Sequence, residues 1–385
     1  MDASIRDQTY MRRALDLAGQ GLGRVEPNPM VGAVVVQGDQ IAGEGYHQRF
    51  GGPHAEVFAL RAAGPRARGA ELFVSLEPCC HAGKTPPCTG AILAAGVRRV
   101  VAAVADPFPD VSGRGLAILK AAGIETAVGV LEEEARRLNA AFFKRQRTGL
   151  PLVIAKWAMT LDGRMATAAG ESRWISSEES RRRVHEVRRV VDAVLVGAAT
   201  ALADEPSLTV RHVEPLPERG QPTRVIIDGR LVIDPAKDPA RTARDVPVIV
   251  YTSAEALRDR AERAAALRET GCDVIAVPLD APLSRGEGMP TARLSLRAVL
   301  QDLGKRGMSR GLVEGGPRIL GSLFAAGLVD RVMVFVSPRI LASADALGPA
   351  AGPNGRTLTE ALPIADLTAE LVGPDLLIQG RVGEF

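Results

Sequence analysis

Short apolar runs alternate with amphipathic stretches over the first 148 residues. Apolar runs bounded by glycine, proline or charged residues are typical of buried strands, and apolar positions spaced by three and four residues are typical of helices. The pattern predicts the order α-β-β-α-β-α-β-α-β followed by one more helix, with a hairpin turned at Gly38-Asp39. That order favours a mixed sheet with helices on both faces. The predicted helices are 10–23, 54–64, 85–96, 113–123 and 131–149, and the predicted strands lie within 31–47, 71–78, 98–107 and 124–130.

The alternation begins again after Gly149-Leu150-Pro151, which indicates a domain boundary. We therefore expect two α/β domains, residues 1–148 and 149–385, without an internal repeat. In the second domain, Ser and Glu residues within 170–180 occupy capping positions for the next helix. The predicted strands are 151–166, 193–202, 223–231, 246–253, 272–279, 310–316 and 330–341, the helices are 180–193, 254–271, 294–307 and 317–329, and a hairpin covers 368–382.

The composition is that of an ordinary globular protein, with 46% apolar and 24% charged residues. The formal net charge of +3 is small for 385 residues, the basic residues are scattered, and only 4% of residues are aromatic. A nucleic-acid-binding protein would show a concentrated basic stripe with interleaved aromatics. The N-terminus has no apolar signal segment, and no apolar run is long enough to span a bilayer. We expect a cytoplasmic protein.

The candidate chemistry lies between residues 54 and 88, where three of the four cysteines are found. Such crowding favours metal ligation in a reducing compartment over a disulfide framework. His54, Cys79 and Cys88 would leave the fourth position of a tetrahedral zinc open for water. Glu56, two residues from His54, would lie beside that water and move its protons. The H-x-E and P-C pairs are part of the signature of zinc-dependent base deaminases, although here the second cysteine follows a Gly-Lys-Thr-Pro-Pro insert.

The predicted elements support this hypothesis. His54 and Glu56 fall in the first turn of a helix, and Cys79 ends an apolar run that is typical of a buried strand. Cys88 opens a second helix, whose N-terminal dipole favours a thiolate. These coincidences weaken the simpler interpretation, in which the cysteines are buried hydrophobes and the histidine packs or caps, without excluding it.

Two other function classes stay open on the residues alone. A structural zinc site would need a fourth ligand, for which Cys80 or His81 is available. A closed four-ligand site would favour that class, and an exchangeable water would favour catalysis. The other class is a nucleic-acid deaminase with an appended binding domain, but such enzymes usually have the shorter C-x-x-C spacing, and the weak basic balance also argues against it.

The second domain has one candidate phosphate-binding loop, Glu314 to Gly321, between an apolar strand and an apolar helix. Glycines let the backbone approach a phosphate while the helix N-terminus supplies N–H donors. The loop lacks the G-x-G-x-x-G spacing, so a tight strand-to-helix turn explains it at least as well. Asp162-Gly163-Arg164 is explained as a turn between strands, and Arg181 to Arg183 as a solvated helix face.

These motifs together carry a family resemblance. The first domain resembles the cytidine-deaminase-like superfamily, and within it the long spacing from Pro78 to Cys88 resembles the bifunctional deaminase/reductase family of riboflavin biosynthesis. The second domain resembles the partner reductase of that family, which has a dihydrofolate-reductase-like fold. The matching segments are 28–34, 43–47, 78–88, 156–164, 172–175, 200–211 and 314–316. They cover essentially the whole chain, in the family's order.

The resemblance implies a cytidine-deaminase-like α/β/α domain followed by a dihydrofolate-reductase-like α/β domain. The first would use zinc to remove the 2-amino group of 2,5-diamino-6-ribosylamino-4(3H)-pyrimidinone 5′-phosphate by hydrolysis. The second would use NADPH to reduce the ribosyl group of 5-amino-6-(5-phosphoribosylamino)uracil to a ribityl chain. The implied cofactors are one zinc per chain and NADPH. The expected partners are this small-molecule substrate and further copies of the chain, as a dimer or tetramer, with no nucleic acid and no membrane.

The resemblance also implies roles for individual residues. Glu56 would be the catalytic residue of the deaminase, and a loop-shaping role remains as good an account of His47 and Thr85 as substrate binding. Without the resemblance, Trp174 would be interpreted as a packed core aromatic. The implied deaminase substrate contacts are Asn28, His47, Lys84 and Thr85. The implied dinucleotide contacts are Ala158, Trp174, Thr200, Asp204, Gly316, Pro317, Arg318, Ile319, Leu320, Gly321 and Ser322. The implied reductase substrate contacts are Ser172, Arg188, Leu208, Arg211 and Glu314, with Lys156 as a substrate or proton partner.

Overall fold

The computed structural model of the chain describes residues 3–280, 293–351 and 357–383. The fold divides into two compact units, residues 1–149 and 150–385. In the first unit the helices are α1 (Ala3–Gly19), α2 (Ala55–Ala63), α3 (Cys88–Ala95), α4 (Arg114–Ala121), α5 (Glu132–Leu138) and α6 (Ala140–Thr148), and the strands are β1 (Gly32–Gln37), β2 (Gln40–Tyr46), β3 (Glu71–Val74), β4 (Arg99–Ala102) and β5 (Glu125–Val128).

The sheet of the first unit is mixed, in the order β2-β1-β3-β4-β5. Strand β1 pairs antiparallel with β2 and β3, and β3, β4 and β5 are parallel. Side chains of β1 alternate between the two faces: Ala33 and Val35 pack with α2, α3 and α4, whereas Val34 and Val36 pack with α1, α5 and α6. The mixed sheet, its hairpin and the helices on both faces confirm the prediction.

Two glycines of β2 set the distance between the sheet and α2. An added Cβ would lie 2.3 Å from Ala59 O at Gly43 and 2.4 Å from Phe58 Cβ at Gly45. Both distances are shorter than non-bonded atoms allow, so only glycine lets the helix lie this close to the strand backbone. Helix α2 begins directly after His54, and this packing therefore fixes where that imidazole stands.

Two helices of the first unit differ from the prediction, and the first of them, expected at 10–23, is α1 at Ala3–Gly19. The expected helix at 131–149 is two helices, α5 and α6, which meet at Asn139. The buried amide of Asn139 accepts a hydrogen bond from Met30 N and donates one to Met30 O, both at 2.8 Å. A local pattern cannot reveal this break, because the partner segment lies 109 residues away.

The strand expected at 71–78 ends at Val74, which leaves residues 75–87 as a loop.

The second unit contains the remaining elements. Its helices are α7 (Glu178–Arg188), α8 (Ala198–Asp204), α9 (Ala254–Asp259), α10 (Ala261–Glu269), α11 (Leu296–Lys305) and α12 (Pro317–Ala325). Its strands are β6 (Leu152–Thr160), β7 (Ala193–Gly197), β8 (Thr223–Ile227), β9 (Val248–Thr252), β10 (Asp273–Ala276), β11 (Leu279–Asp280), β12 (Arg293–Leu294), β13 (Arg310–Val313), β14 (Arg331–Ser337), β15 (Ile364–Val372) and β16 (Asp375–Val382).

Nine of these strands form one sheet, in the order β10-β9-β8-β7-β13-β6-β14-β16-β15. Seven of them run parallel to one another, namely β10, β9, β8, β7, β13, β6 and β14. The closing hairpin of β15 and β16 adds two antiparallel strands next to β14. Buried apolar clusters cover both faces. The carboxyl ends of β6, β7 and β13 meet at one edge, which is where ligands bind in open α/β sheets.

No helix of the described ranges is long and apolar enough to cross a membrane.

Several predicted elements of the second unit end earlier than expected, such as the strand at 223–231, which ends at Ile227, and two predictions are wrong in the kind or number of elements. The strand expected at 193–202 ends at Gly197, and residues 198–204 form helix α8. Gly197 is the N-cap of α8, and an added Cβ there would lie 2.9 Å from the Ile319 side chain on α12. The helix expected at 254–271 is two helices, α9 and α10, which meet at Arg260.

Candidate active sites

Three side chains of the first unit converge on one point. The ligand atoms of His54, Cys79 and Cys88 all lie within 4.8 Å of one another, and among the described residues they form the one cluster able to hold a metal ion. His54 Nδ1 lies 3.2 Å from Cys88 Sγ and 3.5 Å from Cys79 Sγ. Ligand atoms bonded to one tetrahedral zinc, at about 2.1 and 2.3 Å, lie roughly 3.6 Å apart. The cluster therefore has the dimensions of a zinc site.

The local structure explains this convergence. His54 is the N-cap of α2, and Cys88 is the first residue of α3. Cys79 lies in the loop after β3, where Thr89 N donates to Cys79 O at 3.2 Å and Cys88 N lies 3.3 Å from Cys79 Sγ. A thiolate at Cys79 is thus stabilised by the amide end of a helix.

The two thiols compete for one negative charge. The hydrogen bond with Cys88 lowers the pKa of Cys79, aided by His54. The same hydrogen bond and burial raise the pKa of Cys88. Two adjacent thiolates, one half-buried and one buried, repel each other, and a divalent cation removes that repulsion by binding both. The donor set therefore fits zinc, which would be held by His54, Cys79 and Cys88.

Glu56 lies beside this cluster without being part of it. The residue is 3% exposed, and its Oε2 atom has no hydrogen-bond partner among the described residues. Burial raises the pKa of the Glu56 carboxyl. A buried carboxyl with a raised pKa and a free oxygen is suited to accept and return a proton near neutral pH.

His54, Cys79 and Glu56 border a cavity of about 320 Å³. Asn28 Nδ2 lies 3.2 Å from His47 Nε2, and His47 Nδ1 lies 3.0 Å from Pro53 O. Because a carbonyl only accepts, the Nδ1 atom of His47 carries the proton and Nε2 accepts from the amide. The predicted residues that line this cavity are Asn28, His47, His54, Glu56, Cys79, Lys84 and Thr85.

Two of the predicted substrate contacts also touch protein groups. Lys84 Nζ lies 4.0 Å from the centre of the Phe50 ring, which holds the ammonium at the cavity wall. Thr85 Oγ1 lies 3.4 Å from His54 Nε2, at the ring nitrogen that faces away from the two thiols. Hydrogen bonds of this kind orient metal-binding histidines.

The cavity wall also contains residues that the sequence did not single out, namely Phe50, Asp106, Phe108 and Gln146. Glu77 holds part of this wall, since its buried carboxylate accepts hydrogen bonds from the backbone N–H of Asp106, Gly113 and Leu116 at 2.8–3.3 Å. No local pattern marks these residues, because they come together only through the fold.

The alternative ligands Cys80 and His81 make other contacts, although His81 also lines the cavity. Cys80 Sγ lies 3.5 Å from Asp110 O, and the His81 ring packs against Phe108 with a centroid separation of 5.6 Å. Neither belongs to the metal cluster of the described residues. The geometry thus favours a three-ligand site with an open position over a closed structural site.

The second unit brings charged residues together at the carboxyl edge of its sheet. The guanidinium of Arg188 donates to both carboxylate oxygens of Glu314, at 2.6 and 3.0 Å, and to Thr209 O at 2.9 Å. Although burial opposes the change, the charge of Arg188 holds the pKa of Glu314 below its usual value. Burial lowers the pKa of Lys156, and the nearby Glu314 partly opposes this.

Arg211 and Leu208 lie in the segment that follows α8. Leu208 is buried, whereas Arg211 is exposed. Burial of part of its side chain and the neighbouring charge of Arg188 lower the pKa of Arg211. Arg211 makes no side-chain hydrogen bond to the described residues, so its guanidinium is available to a ligand.

The predicted dinucleotide contacts lie near the same edge. Gly316 is the N-cap of α12, and a Cβ there would lie 3.3 Å from Thr200 Oγ1 on α8. The starts of α8 and α12 therefore lie close together, and the backbone N–H groups at helix starts bind phosphate oxygens. The residues present fit a dinucleotide. Ala158 lies on β6 two positions after Lys156, and therefore on the same face.

Trp174 is 62% exposed, so its interpretation as a core aromatic is wrong. Its ring lies 4.5 Å from the Arg181 guanidinium, and Arg339 Nη1 donates to Trp174 O at 2.8 Å. The neighbouring Arg173 donates a hydrogen bond to Asp204 O. This bond connects the segment that carries Trp174 with Asp204, and both are predicted cofactor residues. Ser172 precedes this group in the segment before α7.

Comparisons with known proteins identify the family of both units. Residues 4–104 match the cytidine and deoxycytidylate deaminase zinc-binding region, and residues 151–374 match the RibD C-terminal domain. The chain is 43% identical to riboflavin biosynthesis protein RibD of Aquifex aeolicus, over 97% of each protein. It is 42% identical to the RibD protein of Escherichia coli, over 97% of this chain and 99% of the relative.

The chain belongs to the RibD family. Among solved structures, Acinetobacter baumannii RibD is similar with a TM-score of 0.85 and 34% identity, covering 99% of this chain and 100% of the other. A Thermotoga maritima deaminase/reductase is similar with a TM-score of 0.80 and 35% identity, covering 99% of each chain. Like its RibD relatives, the protein is a bifunctional enzyme of riboflavin biosynthesis, with a cytidine-deaminase-like domain that uses zinc and a dihydrofolate-reductase-like domain that uses NADPH.

Proposed function

We propose that residues 1–148 deaminate a diaminohydroxyphosphoribosylaminopyrimidine and that residues 149–385 reduce the resulting 5-amino-6-(5-phosphoribosylamino)uracil. These are the two activities in the name of the Thermotoga maritima relative. One observation carries the proposal: Glu56, whose Oε2 has no hydrogen-bond partner among the described residues, borders the same cavity as His54 and Cys79 of the metal cluster. All four cysteines are free thiols, which supports a reducing cytoplasmic location.

In the first reaction, water adds to C2 of the pyrimidine ring and the 2-amino group leaves as ammonia. When bound, zinc lowers the pKa of a water so that hydroxide is available near neutral pH. Glu56 accepts a proton at Oε2 and returns it to the departing amine. Its raised pKa suits both halves of this transfer, because the protonated form must also be accessible.

Asn28, His47 and Lys84 are proposed to hold the substrate. The Asn28 amide is oriented by its contact with His47 Nε2, which leaves the amide oxygen for the pyrimidine edge. Burial lowers the pKa of His47, so the ring stays neutral and keeps that contact. The Lys84 ammonium at the cavity wall is suited to the 5′-phosphate. Thr85 is proposed to orient His54 and, through the same loop, to shape the pocket.

In the second reaction, NADPH supplies the hydride when bound. The loop from Gly316 to Ser322 is proposed to hold its phosphates, with Trp174, Thr200, Asp204 and Ala158 lining the rest of the site. Lys156 is proposed to contact the ribosyl group as a hydrogen-bond or proton partner. Its lowered pKa, caused by burial, makes proton donation easier than from a solvated lysine.

Arg211 is the best-placed group for the substrate phosphate. Its guanidinium is exposed and close enough to Arg188 for their charges to repel. A phosphate between the two would relieve that repulsion, and guanidinium groups bind phosphate bidentately. Arg188 keeps Glu314 and Thr209 O as partners and would offer its remaining N–H groups. Ser172 and Leu208 are proposed to complete this pocket.

For assembly, we propose a homo-oligomer that pairs through β15. This strand forms the edge of the nine-stranded sheet, and Leu367 and Leu371 on it are 62% and 76% exposed. A long exposed edge strand with apolar side chains favours pairing with another chain. Replacing Leu371 by lysine should shift the sedimentation coefficient toward that of a single chain, and an unchanged value would argue for another interface.

The experiment that tests the proposed function scores ammonia release and NADPH oxidation separately. Cys88→Ser should lose zinc and ammonia release, whereas the matched variant Cys80→Ser should keep about one zinc per chain. Gly316→Val adds bulk at 3.3 Å from Thr200 Oγ1 and should abolish NADPH oxidation while sparing ammonia release. Full zinc in Cys88→Ser, or equal loss of both activities in a folded Gly316→Val, would contradict these assignments.

A further inference from the structure

The segment around Arg211 has an unusual backbone. Leu208 has a φ of 54° and His212 has a φ of 59°, so two non-glycine residues adopt left-handed conformations within five positions. Side chains other than glycine disfavour this region, and residues stay in it only when surrounding contacts hold them. The conformation of residues 208–212 therefore depends on groups outside the segment.

Three side chains supply those contacts. Gln221 pairs with both backbone groups of Val210, accepting from its N–H at 2.6 Å and donating to its C=O at 3.1 Å. Arg188 Nη1 donates to Thr209 O at 2.9 Å. The third contact comes from His185 on α7, whose Nδ1 atom accepts the backbone N–H of Arg211 at 3.1 Å. This last bond acts on the residue that we assign to the substrate phosphate.

The bond fixes the chemical state of His185. A backbone N–H can only donate, so Nδ1 must carry a free lone pair and Nε2 must carry the ring proton. The ring is 7% exposed and packs edge-on against His212, with a centroid separation of 5.6 Å. The charged or titratable groups that act on it are Arg188 on its own helix, Arg211 and His212 on the segment, and Glu314 after β13. Burial and then the charges of Arg188 and Arg211 lower the pKa of His185 to about 4, so the ring is neutral at the pH of a cell.

We propose that His185 is a positioning residue of the reductase, whose neutral ring holds the Arg211 backbone so that the exposed guanidinium stays beside Arg188 to receive the substrate phosphate. The inference rests on the proposed role of Arg211. In this role His185 acts through the Arg211 backbone and not on the reacting atoms or the cofactor. Its effect is therefore confined to substrate affinity, and hydride transfer from a bound complex keeps its rate.

The test compares three variants of the full-length enzyme, assayed with NADPH and 5-amino-6-(5-phosphoribosylamino)uracil. His185→Leu keeps a similar volume without an acceptor, and His185→Asn places an amide oxygen close to the Nδ1 position. Arg211→Gln is the reference for the phosphate contact. His185→Leu should raise the KM for the uracil substrate about tenfold, with kcat and the KM for NADPH within about twofold of wild type. His185→Asn should recover most of that loss.

Each other outcome has a distinct meaning. If Arg211→Gln leaves the substrate KM unchanged, the phosphate assignment fails and this inference fails with it. If Arg211→Gln raises KM but His185→Leu does not, or if asparagine fails to rescue, only the positioning role is overturned.

A second measurement covers the case in which His185→Leu does not fold. Long-range ¹H–¹⁵N spectra of the wild-type ring should show the Nε2–H tautomer from pH 8 to 5.5, and titration near 6.5 or an Nδ1–H tautomer would overturn the proposal.

Discussion

At the scale of single residues, surroundings decide what each titratable group can do. Glu56 and Glu314 are both carboxylates of buried sites, yet burial raises the pKa of one and Arg188 lowers the pKa of the other. The Oε2 atom of Glu56 has no hydrogen-bond partner among the described residues, whereas Glu314 accepts two hydrogen bonds from a guanidinium. The first is therefore suited to moving a proton and the second to staying charged.

Replacing Glu56 by glutamine separates proton transfer from metal binding. Glutamine keeps the size and a hydrogen-bonding end but cannot accept and return a proton near neutral pH. Ammonia release should fall by about 10²–10⁴-fold, while the zinc content measured by atomic absorption stays near one per chain.

NADPH oxidation supplies the internal control for this variant. Given the deaminated intermediate directly, Glu56→Gln should oxidise NADPH at the wild-type rate, because the reductase residues all lie beyond position 150. Loss of zinc, or deamination close to the wild-type rate, would show that the role assigned to Glu56 is wrong.

His185 makes the stability of the second unit depend on pH. Its pKa is about 4 when folded and about 6.5 in an unfolded chain, so the unfolded state binds a proton that the folded state excludes. The free energy of unfolding must therefore fall as the pH drops from about 6.5 toward 4. His185→Asn lacks this group and should show a shallower fall than wild type.

Tryptophan fluorescence can report this effect, because both tryptophans, Trp157 and Trp174, belong to the second unit. Urea unfolding followed by this signal at pH 6.5, 5.5 and 4.5 would give the two curves. Parallel curves for wild type and His185→Asn would exclude His185 as the source of the pH dependence.

At the scale of elements, the deaminase site is made where helices begin. Helix α2 begins after His54, α3 begins at Cys88, and the start of α4 packs against the loop that carries Cys79. Glycines allow these close approaches. At Gly115 on α4, an added Cβ would lie 2.0 Å from Pro78 O, one residue before a proposed zinc ligand.

Gly115→Ala should therefore displace α4 or the Cys79 loop. Zinc affinity and ammonia release should both fall by at least tenfold, because losing the contacts that orient metal ligands commonly lowers metal affinity or activity 10–100-fold. NADPH oxidation should be unaffected. Competition with a chromogenic chelator measures the zinc affinity.

Gly90→Ala is the matched control. Gly90 lies on α3 two residues after Cys88, and an added Cβ there meets no atom within 4 Å. Alanine also favours a helix over glycine, so this variant should keep its zinc and gain slightly in stability. Equal behaviour of the two variants would mean that the contact at Pro78 does not hold the site in place.

At the scale of the whole molecule, each unit has its own core. Three apolar clusters lie entirely within residues 1–149, and the two others lie entirely within residues 150–385. Each unit also contains every residue proposed for its own reaction. Two such units should fold and act independently.

Separate expression of residues 1–149 and 150–385 tests this directly. The first fragment should bind about one zinc and release ammonia, and the second should oxidise NADPH with the deaminated intermediate. Circular dichroism melting and the two assays would check folding and activity. A fragment that is folded but inactive would show that its site needs the other unit.

The sequence by itself determined what is local. The two-residue spacing of His54 and Glu56 at a helix start, and a cysteine at the start of the next helix, follow from short patterns, since neighbouring residues on one element keep fixed relative positions. Alternating apolar positions likewise predicted the strands of both sheets and the helices on both faces. The order of these elements was enough for the fold class.

The tertiary structure decided what depends on distant contacts. Asn139, where α5 and α6 meet, exchanges two hydrogen bonds with Met30, and Gly197, where β7 ends, lies against Ile319. Glu77 and His185 hold backbone segments far along the chain, and neither has a local signal. Hydrogen bonds and close packing act between atoms that only folding brings together, so the groups that position both proposed sites became apparent only in three dimensions.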